Sequence, residues 1–333
     1  MQRNQSGTPP RILTFNHHES YLCAIAGLNA EFDVVTRKGN LDLSWNTRSR
    51  AVPSNFSLID WPKAKVSIRN HAYHAIICHT ILNLFWLLPF QRRNLIFVAH
   101  IPLFKNSTFE RSKSLLKRII ILFWQKYFGL KVIAGSEWKK QSWAIRADVA
   151  RVFAVPFPKD ALSPRKSDEI HGVYVGNDIF ERGEELGWGI LKDLFSVSPI
   201  KVIGYNPNIP DSYIPPDFRA FAHEFSKAHF YVYPITPATG DGFNMASLEA
   251  MLLGLPVVTV INPTSPIVHN INGLVGRDAA EMNEHIRTLI LDPALRERLG
   301  KAARETVLRD FNAPTFWAIW SRVLDLKPSE GPL

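Results

Sequence analysis

The 333 residues are more than one hydrophobic core usually serves, which predicts two domains of about 150 residues each. An apolar content of 46% and a charged content of 21% exclude a disordered chain, and the net charge of +9 turns attention to anionic partners. Cys23 and Cys78 both sit inside apolar runs and lack CxxC spacing. That excludes a disulfide framework and a zinc cluster, and predicts a cytoplasmic protein.

Residues 1–10 are polar and lack the apolar stretch of a signal peptide. A short apolar strand over 11–16 leads through a polar turn at 17–20 into an amphipathic helix over 21–28. Further strands are predicted at 32–36, 74–78, 95–99, 131–134 and 152–155, as continuous apolar runs of the kind helices cover on both faces. The apolar stretches 76–90 and 119–128 are too short to span a bilayer, which takes ~20 residues. Between Arg111 and Lys140 stand eight basic residues and one acidic residue, Glu137. Lys113, Lys117 and Arg118 lie beside Leu115, Leu116, Ile119 and Ile120, a mixture that suits an anionic membrane surface or, as readily, the solvated face of a core helix. No nucleic-acid-binding signature accompanies the charge.

A proline-rich, charged stretch from Pro156 to Glu169 reads as a linker. Beyond it strands are predicted at 171–175, 200–204, 230–233 and 256–260, with helices at 216–228, 245–253 and 281–291. The alternation predicts an α/β chain with a parallel sheet in each half. The domains expected are 1–158, 159–310 and a terminal helix over 311–333. Phe316, Trp317, Ile319, Trp320 and Val323 give that helix an apolar load that needs cover, expected at the domain seam.

The most informative passage runs Gly240-Asp241-Gly242-Phe243-Asn244-Met245-Ala246-Ser247-Leu248-Glu249. It follows a strand and opens a helix, where free backbone N–H groups and the helix dipole favour an anion. Gly242 is expected to let a phosphate approach the backbone. Glu249, one turn above Met245 on the same helix face, is placed to accept hydrogen bonds from a ribose diol. On spacing alone, a loop–helix junction capped by Asp241 fits equally well.

This passage resembles the donor-binding signature of the retaining GT-B glycosyltransferases of family 4, the glycosyl transferases group 1. There an acid and a glutamate eight positions later precede "EAM…G-P-V-V", read here as Asp241…Glu249-Ala250-Met251-Leu252-Leu253-Gly254-Leu255-Pro256-Val257-Val258. Residues 265–275, ending Asn272-Gly273-Leu274-Val275, resemble the family's "N-G-L-L-V". The resemblance implies two Rossmann-like parallel-sheet domains facing across a cleft. It also implies transfer of a sugar from a nucleoside diphosphate donor to a hydroxyl acceptor (glycan, lipid-linked or small molecule), with retention and without metal or resident cofactor.

It further places Asp241 at the transferred sugar and Glu249 at the ribose, with Gly242, Phe243, Asn244 and Met245 on the phosphate- and sugar-facing loop. The segment Val175-Gly176-Asn177…Arg182-Gly183 resembles the family's diphosphate clamp: Arg182 matches its second basic position, and Asn177 replaces the first. His100, ending its strand, resembles the histidine at the reacting sugar. His17 and His18 occupy the place of a glycine-rich loop on the acceptor side. A sugar-nucleotide epimerase and a non-catalytic nucleotide-sugar-binding homologue are alternatives on the same fold. Gly-x-Gly-x-x-Gly is absent after every predicted strand, which excludes a nicotinamide dehydrogenase.

Overall fold

Strand-forming apolar runs and side-chain helix caps build two units in the computed structural model: Met1–Val152 with Ala313–Leu333, and Phe153–Asn312. The structure describes residues 9–90, 93–103, 108–162, 166–196 and 198–327, with side chains throughout except at 108–111.

The first unit runs β1 (Arg11–Phe15), α1 (Glu19–Ile25), β2 (Glu31–Lys38), β3 (Leu41–Asp42), β4 (Phe56–Asp60) and α2 (Trp61–Arg69). It continues through β5 (Ala75–Cys78), α3 (Ile81–Leu87), β6 (Leu95–Ala99), α4 (Thr108–Phe128), β7 (Lys131–Ala134), α5 (Glu137–Trp143) and β8 (Asp148–Val149). Among the described residues these form one eight-stranded sheet in which β1 pairs with β2 and β5, and β6, β7 and β8 follow outward from β5. Beyond β2 lie β4, parallel, and the short antiparallel β3. Counted along the seven parallel strands the order is 3-2-1-4-5-6-7, the doubly wound arrangement with one added edge strand, and its direction reverses between β1 and β5. The central strands are buried along their whole length, as strands covered on both faces must be. Helices start where a side chain accepts a first-turn N–H: Asp60 caps α2 ahead of Pro62, and Thr80 and Asn83 form a capping box on α3.

The second unit runs β9 (Gly172–Val175), α6 (Ile179–Arg182), α7 (Trp188–Phe195), β10 (Ile200–Ile203), α8 (Phe218–Lys227) and β11 (Phe230–Tyr233). Then come α9 (Met245–Leu252), β12 (Val257–Val260), β13 (Gly273–Gly276), α10 (Ala279–Leu291) and α11 (Pro293–Asp310). Its five-stranded parallel sheet has the order β10-β9-β11-β12-β13, which reverses between β9 and β11. Tyr174, Phe230, Val232 and Val258 pack against Leu191, Met282, Ile286 and Leu299 to form its core.

The last helix, α12 (Ala313–Leu324), belongs to the first unit. Phe316 and Trp320 are fully buried there, each with its ring edge-on to Tyr21 of α1. Trp317 Nε1 donates to the Ala24 carbonyl at 2.8 Å.

Two expectations need correction. Residues 152–155 form no strand: Phe153 and Ala154 are buried without joining a ladder, and the sheet ends instead at β8. Helix α1 begins two residues early, at Glu19, because His18 serves as its cap. Ser163, Pro164 and Arg165 of the expected linker lie outside the described residues, as do residues 1–8 and the side chain of Arg111.

Candidate functional site

Open parallel sheets bind ligands beyond the carboxyl ends of their strands, where the winding direction reverses. In the second unit that point lies between β9 and β11, so the loops it selects are 176–178 and 234–244. Gly176, Asn177 and Arg182 therefore belong to one loop–helix passage, and residues 241–249 to its neighbour.

The second passage is held from several sides. The Tyr233 hydroxyl donates to the backbone carbonyl of Asp241 at 3.1 Å. Asn262, buried after β12, donates to the carbonyls of Ile235 and Gly240, both at 3.1 Å. Its Oδ1 accepts from the backbone and hydroxyl of Thr264. Thr264 Oγ1 in turn accepts the N–H of Gly242 at 2.7 Å. The role expected of Gly242 is thereby corrected: its N–H is occupied within the protein, and its missing side chain makes room for the turn at Ser265 rather than for a phosphate. Asn262 and Thr264 went unnoticed in the sequence because neither belongs to the motif they brace.

The cap of α9 is Asn244, not Asp241. Asn244 Oδ1 accepts from Ser247 N and Ser247 Oγ accepts from Asn244 N, both at 2.8 Å. The side chain of Asn244 is thus committed to starting the helix, and that of Phe243 to an edge-on contact with Phe311. The Ser247 N–H is taken by Asn244, whereas the amides of Met245 and Ala246 have no partner among the described residues. Those two donors are the groups an anion would meet. Asp241 and Glu249 are both buried, at 6% and 2% exposure. Burial pushes the Tyr231 phenol up, helped by the phenols of Tyr174 and Tyr233 and by the carboxylate of Glu249, whose helix packs against β11.

In the first passage, Asn177 Oδ1 accepts from the Tyr205 backbone N–H at 2.8 Å and joins this loop to the one after β10. Gly204, at φ +137°, permits that approach: a Cβ there would stand 2.7 Å from Asn177 Oδ1. Arg182 ends α6 half-exposed and pairs with Glu185 at 2.5 Å. Exposed pairs of this kind hold weakly, so its guanidinium can exchange partners at little cost.

In the first unit the reversal between β1 and β5 gathers histidines from three strand ends. His79 Nε2 lies 2.8 Å from Thr14 Oγ1, and His79 Nδ1 lies 2.7 Å from His100 Nε2. His17 stacks on His79 at 5.7 Å and tilts against His100 at 4.9 Å, while Tyr21 presents its edge to His100 at 4.7 Å. Burial depresses His79 to about 3 and holds His100 well below the usual histidine range. His18 spends Nδ1 on the Tyr21 N–H as the α1 cap, and Ser136 likewise caps α5. Among the described residues no group of three or more His, Cys, Asp or Glu side chains is placed to hold a metal ion. A groove of about 500 Å³ beside β10, lined by Trp188, Phe195, Lys201 and Asp211 among others, shares no residue with either selected loop. The switch-point loops, which present donors for an anion, are the better candidate site.

Two doubly wound α/β units in one chain define the GT-B class. Residues 205–292 match the family described as glycosyl transferases group 1, so the second unit carries a domain of that family. The chain is 34% identical over 104 residues to the capsular polysaccharide biosynthesis glycosyltransferase CapM of Staphylococcus aureus; the match covers 29% of this chain and 27% of that protein. In fold it is similar to Anabaena HepE in complex with UDP-glucose, with a TM-score of 0.66, 15% identity, and coverage of 95% of this chain and 100% of that one. It is also similar to the sucrose-phosphate synthase of Thermosynechococcus elongatus, with a TM-score of 0.62, 16% identity, and coverage of 95% and 98%.

Proposed function

We propose that this chain is a glycosyltransferase that moves a sugar from a nucleoside diphosphate donor to a hydroxyl acceptor, with retention and without metal. The observation that carries the reading is the switch point of the second sheet. There a group 1 family domain brings the two open amides of α9 next to a buried Asp241 and a buried Glu249, with Arg182 on the adjoining passage. UDP-glucose bound to HepE, a protein of similar fold, supports a donor of the same class. Retention and metal independence rest on the family resemblance.

In this reading the α9 amides and Arg182 hold the diphosphate and stabilise the negative charge that grows as it leaves. Glu249 accepts from the ribose, Asp241 orients the sugar, His100 serves the reacting sugar, and His17 and His18 serve the acceptor side. A panel of sugar nucleotides screened by thermal shift tests it, because a ligand that binds the native state raises the melting temperature. The true donor should raise it, and Glu249→Ala should abolish the rise; an undiminished shift removes Glu249 from the site. Release of nucleoside diphosphate that requires an acceptor separates transfer from epimerisation, and binding without release would indicate a non-catalytic homologue.

The same proposal includes a place of work at the cytoplasmic face of an anionic membrane. Helix α4 buries Ile121 and Trp124, yet Leu115, Leu116, Ile119, Phe123 and Tyr127 are all at least half-exposed. Lys113, Lys117, Arg118 and Lys126 accompany this stripe, an arrangement suited to lying in a lipid headgroup layer. No helix among the described residues is long and apolar enough to cross a membrane. Co-sedimentation with anionic but not zwitterionic vesicles, lost in Leu116→Glu/Phe123→Glu, is the expected result.

A further inference from the structure

We infer that Thr14 and His79 are positioning residues that lock His100 in the Nδ1–H tautomer, so that His100 acts as a hydrogen-bond donor to a substrate oxygen and not as a base. The consequence for turnover rests on the reading of His100 at the reacting sugar; the tautomer itself does not.

Three groups stand in a row: Thr14 Oγ1, 2.8 Å from His79 Nε2, and His79 Nδ1, 2.7 Å from His100 Nε2. Thr14 is completely buried within β1 and His79 is 5% exposed, so water does not complete their bonding. The His79 backbone N–H is held by Asn83 Oδ1 at 3.0 Å, which fixes where the ring begins. A neutral imidazole carries one donor and one acceptor nitrogen, so the row can run in only two directions.

In one direction His100 donates to His79, and His79 donates to Thr14. The Thr14 hydroxyl proton then needs another acceptor, and none exists among the described residues. In the other, Thr14 O–H donates to His79 Nε2, and His79 Nδ1–H donates to His100 Nε2. Both donors of the buried Thr14–His79 pair are then used, and the one donor left over, on His100, lies at the partly exposed end of the row where water or substrate can accept it. A buried donor without an acceptor is much the rarer and costlier of the two faults. The second direction therefore prevails.

Its outcome at the far end is specific. His100 has already spent Nε2 as an acceptor, so its remaining nitrogen, Nδ1, carries the proton. That nitrogen has no partner among the described residues, and His100 is partly exposed. Tyr21, edge-on to the His100 ring, restricts its rotation. The row thus presents a fixed N–H to an incoming oxygen, the chemistry of a sugar hydroxyl. It leaves no basic nitrogen on His100 to deprotonate one.

Long-range ¹H–¹⁵N spectra of the full-length protein labelled at histidine nitrogen read the tautomers directly, with His79→Gln and His100→Gln assigning the signals. Both rings should show protonated Nδ1 and unprotonated Nε2; a protonated Nε2 on His100 overturns the proposal, whatever the activity. Thr14→Val removes the hydroxyl at nearly constant volume and should mix the tautomers, while Thr14→Ser should preserve them. Should Thr14→Val fail to fold, the wild-type spectrum still decides. With the identified donor, Thr14→Val should lower kcat by roughly tenfold and Thr14→Ser by less than about twofold. A mixed tautomer with unchanged kcat would retain the relay and refute the role of His100 at the reacting sugar.

Discussion

Gly242 lies flush against Ser265: a Cβ carbon placed on the glycine would stand 2.5 Å from the Ser265 Cα. What it would strike is backbone, which cannot swing aside as a long side chain can. Gly242→Ala is therefore expected to destabilise the chain by ~1–3 kcal/mol, the usual range for overpacking. Sugar-nucleotide affinity should fall with it, because the displaced loop carries Asp241. Urea unfolding together with calorimetric titration of the donor checks both.

Asn262 supplies the donors for two carbonyls of the same loop, Ile235 and Gly240. Asn262→Ala leaves buried acceptors unpaired, at a cost of ~1–3 kcal/mol. The donor Kd should rise although Asn262 lies outside the motif. An unchanged Kd would show that the loop does not depend on this brace.

Arg182 is the contrasting case. It pairs with the exposed carboxylate of Glu185, so Arg182→Ala should change stability by less than ~0.5 kcal/mol. Turnover should drop by ~100-fold if the guanidinium stabilises the leaving diphosphate. Initial rates beside a melting curve separate the two effects, and Arg182→Lys should recover part of the rate.

The depressed histidines give stability a pH dependence of definite sign. His79 stays neutral in the folded chain down to about pH 3, while an unfolded histidine protonates near 6.5. Between these values the unfolded state binds more protons, so stability rises with pH. It should therefore be lost progressively below about pH 6.5, by up to ~1.4 kcal/mol per pH unit for a histidine that must remain neutral. Above that pH His79 contributes no slope. His79→Gln should flatten the acid limb of a stability-versus-pH curve.

Trp320 is wholly buried in α12, and its ring lies 6.4 Å from that of Tyr21. Trp320→Ala should cost ~3–5 kcal/mol, as expected for truncation of a large buried aromatic. Thermal unfolding monitored within the first unit reports it.

Strands such as Leu95–Ala99, Lys131–Ala134 and Phe230–Tyr233 were legible because strands buried on both faces leave unbroken apolar runs. Helix α11 was not, since its heavily charged sequence hides the few residues, among them Leu299, Ala303 and Val307, that it buries. β13 contains two glycines among four residues and carries no strand pattern of its own. In the candidate site, the motif around Asp241 was readable, whereas its braces were not. His79 shows the limit most clearly. Its partners Thr14 and His100 lie 65 and 21 positions away, and only the strand order brings β5 between β1 and β6.

The chain leaves its first unit after Val152 and returns to it at Ala313. A ribosome working from the amino terminus therefore releases the first sheet with Tyr21 and the α1 surface bare until the entire second unit has been made. The second unit, continuous in sequence, can complete itself while its elder neighbour is still waiting for its last helix. Synthesis order and folding order are thus reversed, and the amino-terminal half is the part that would call on chaperones during translation.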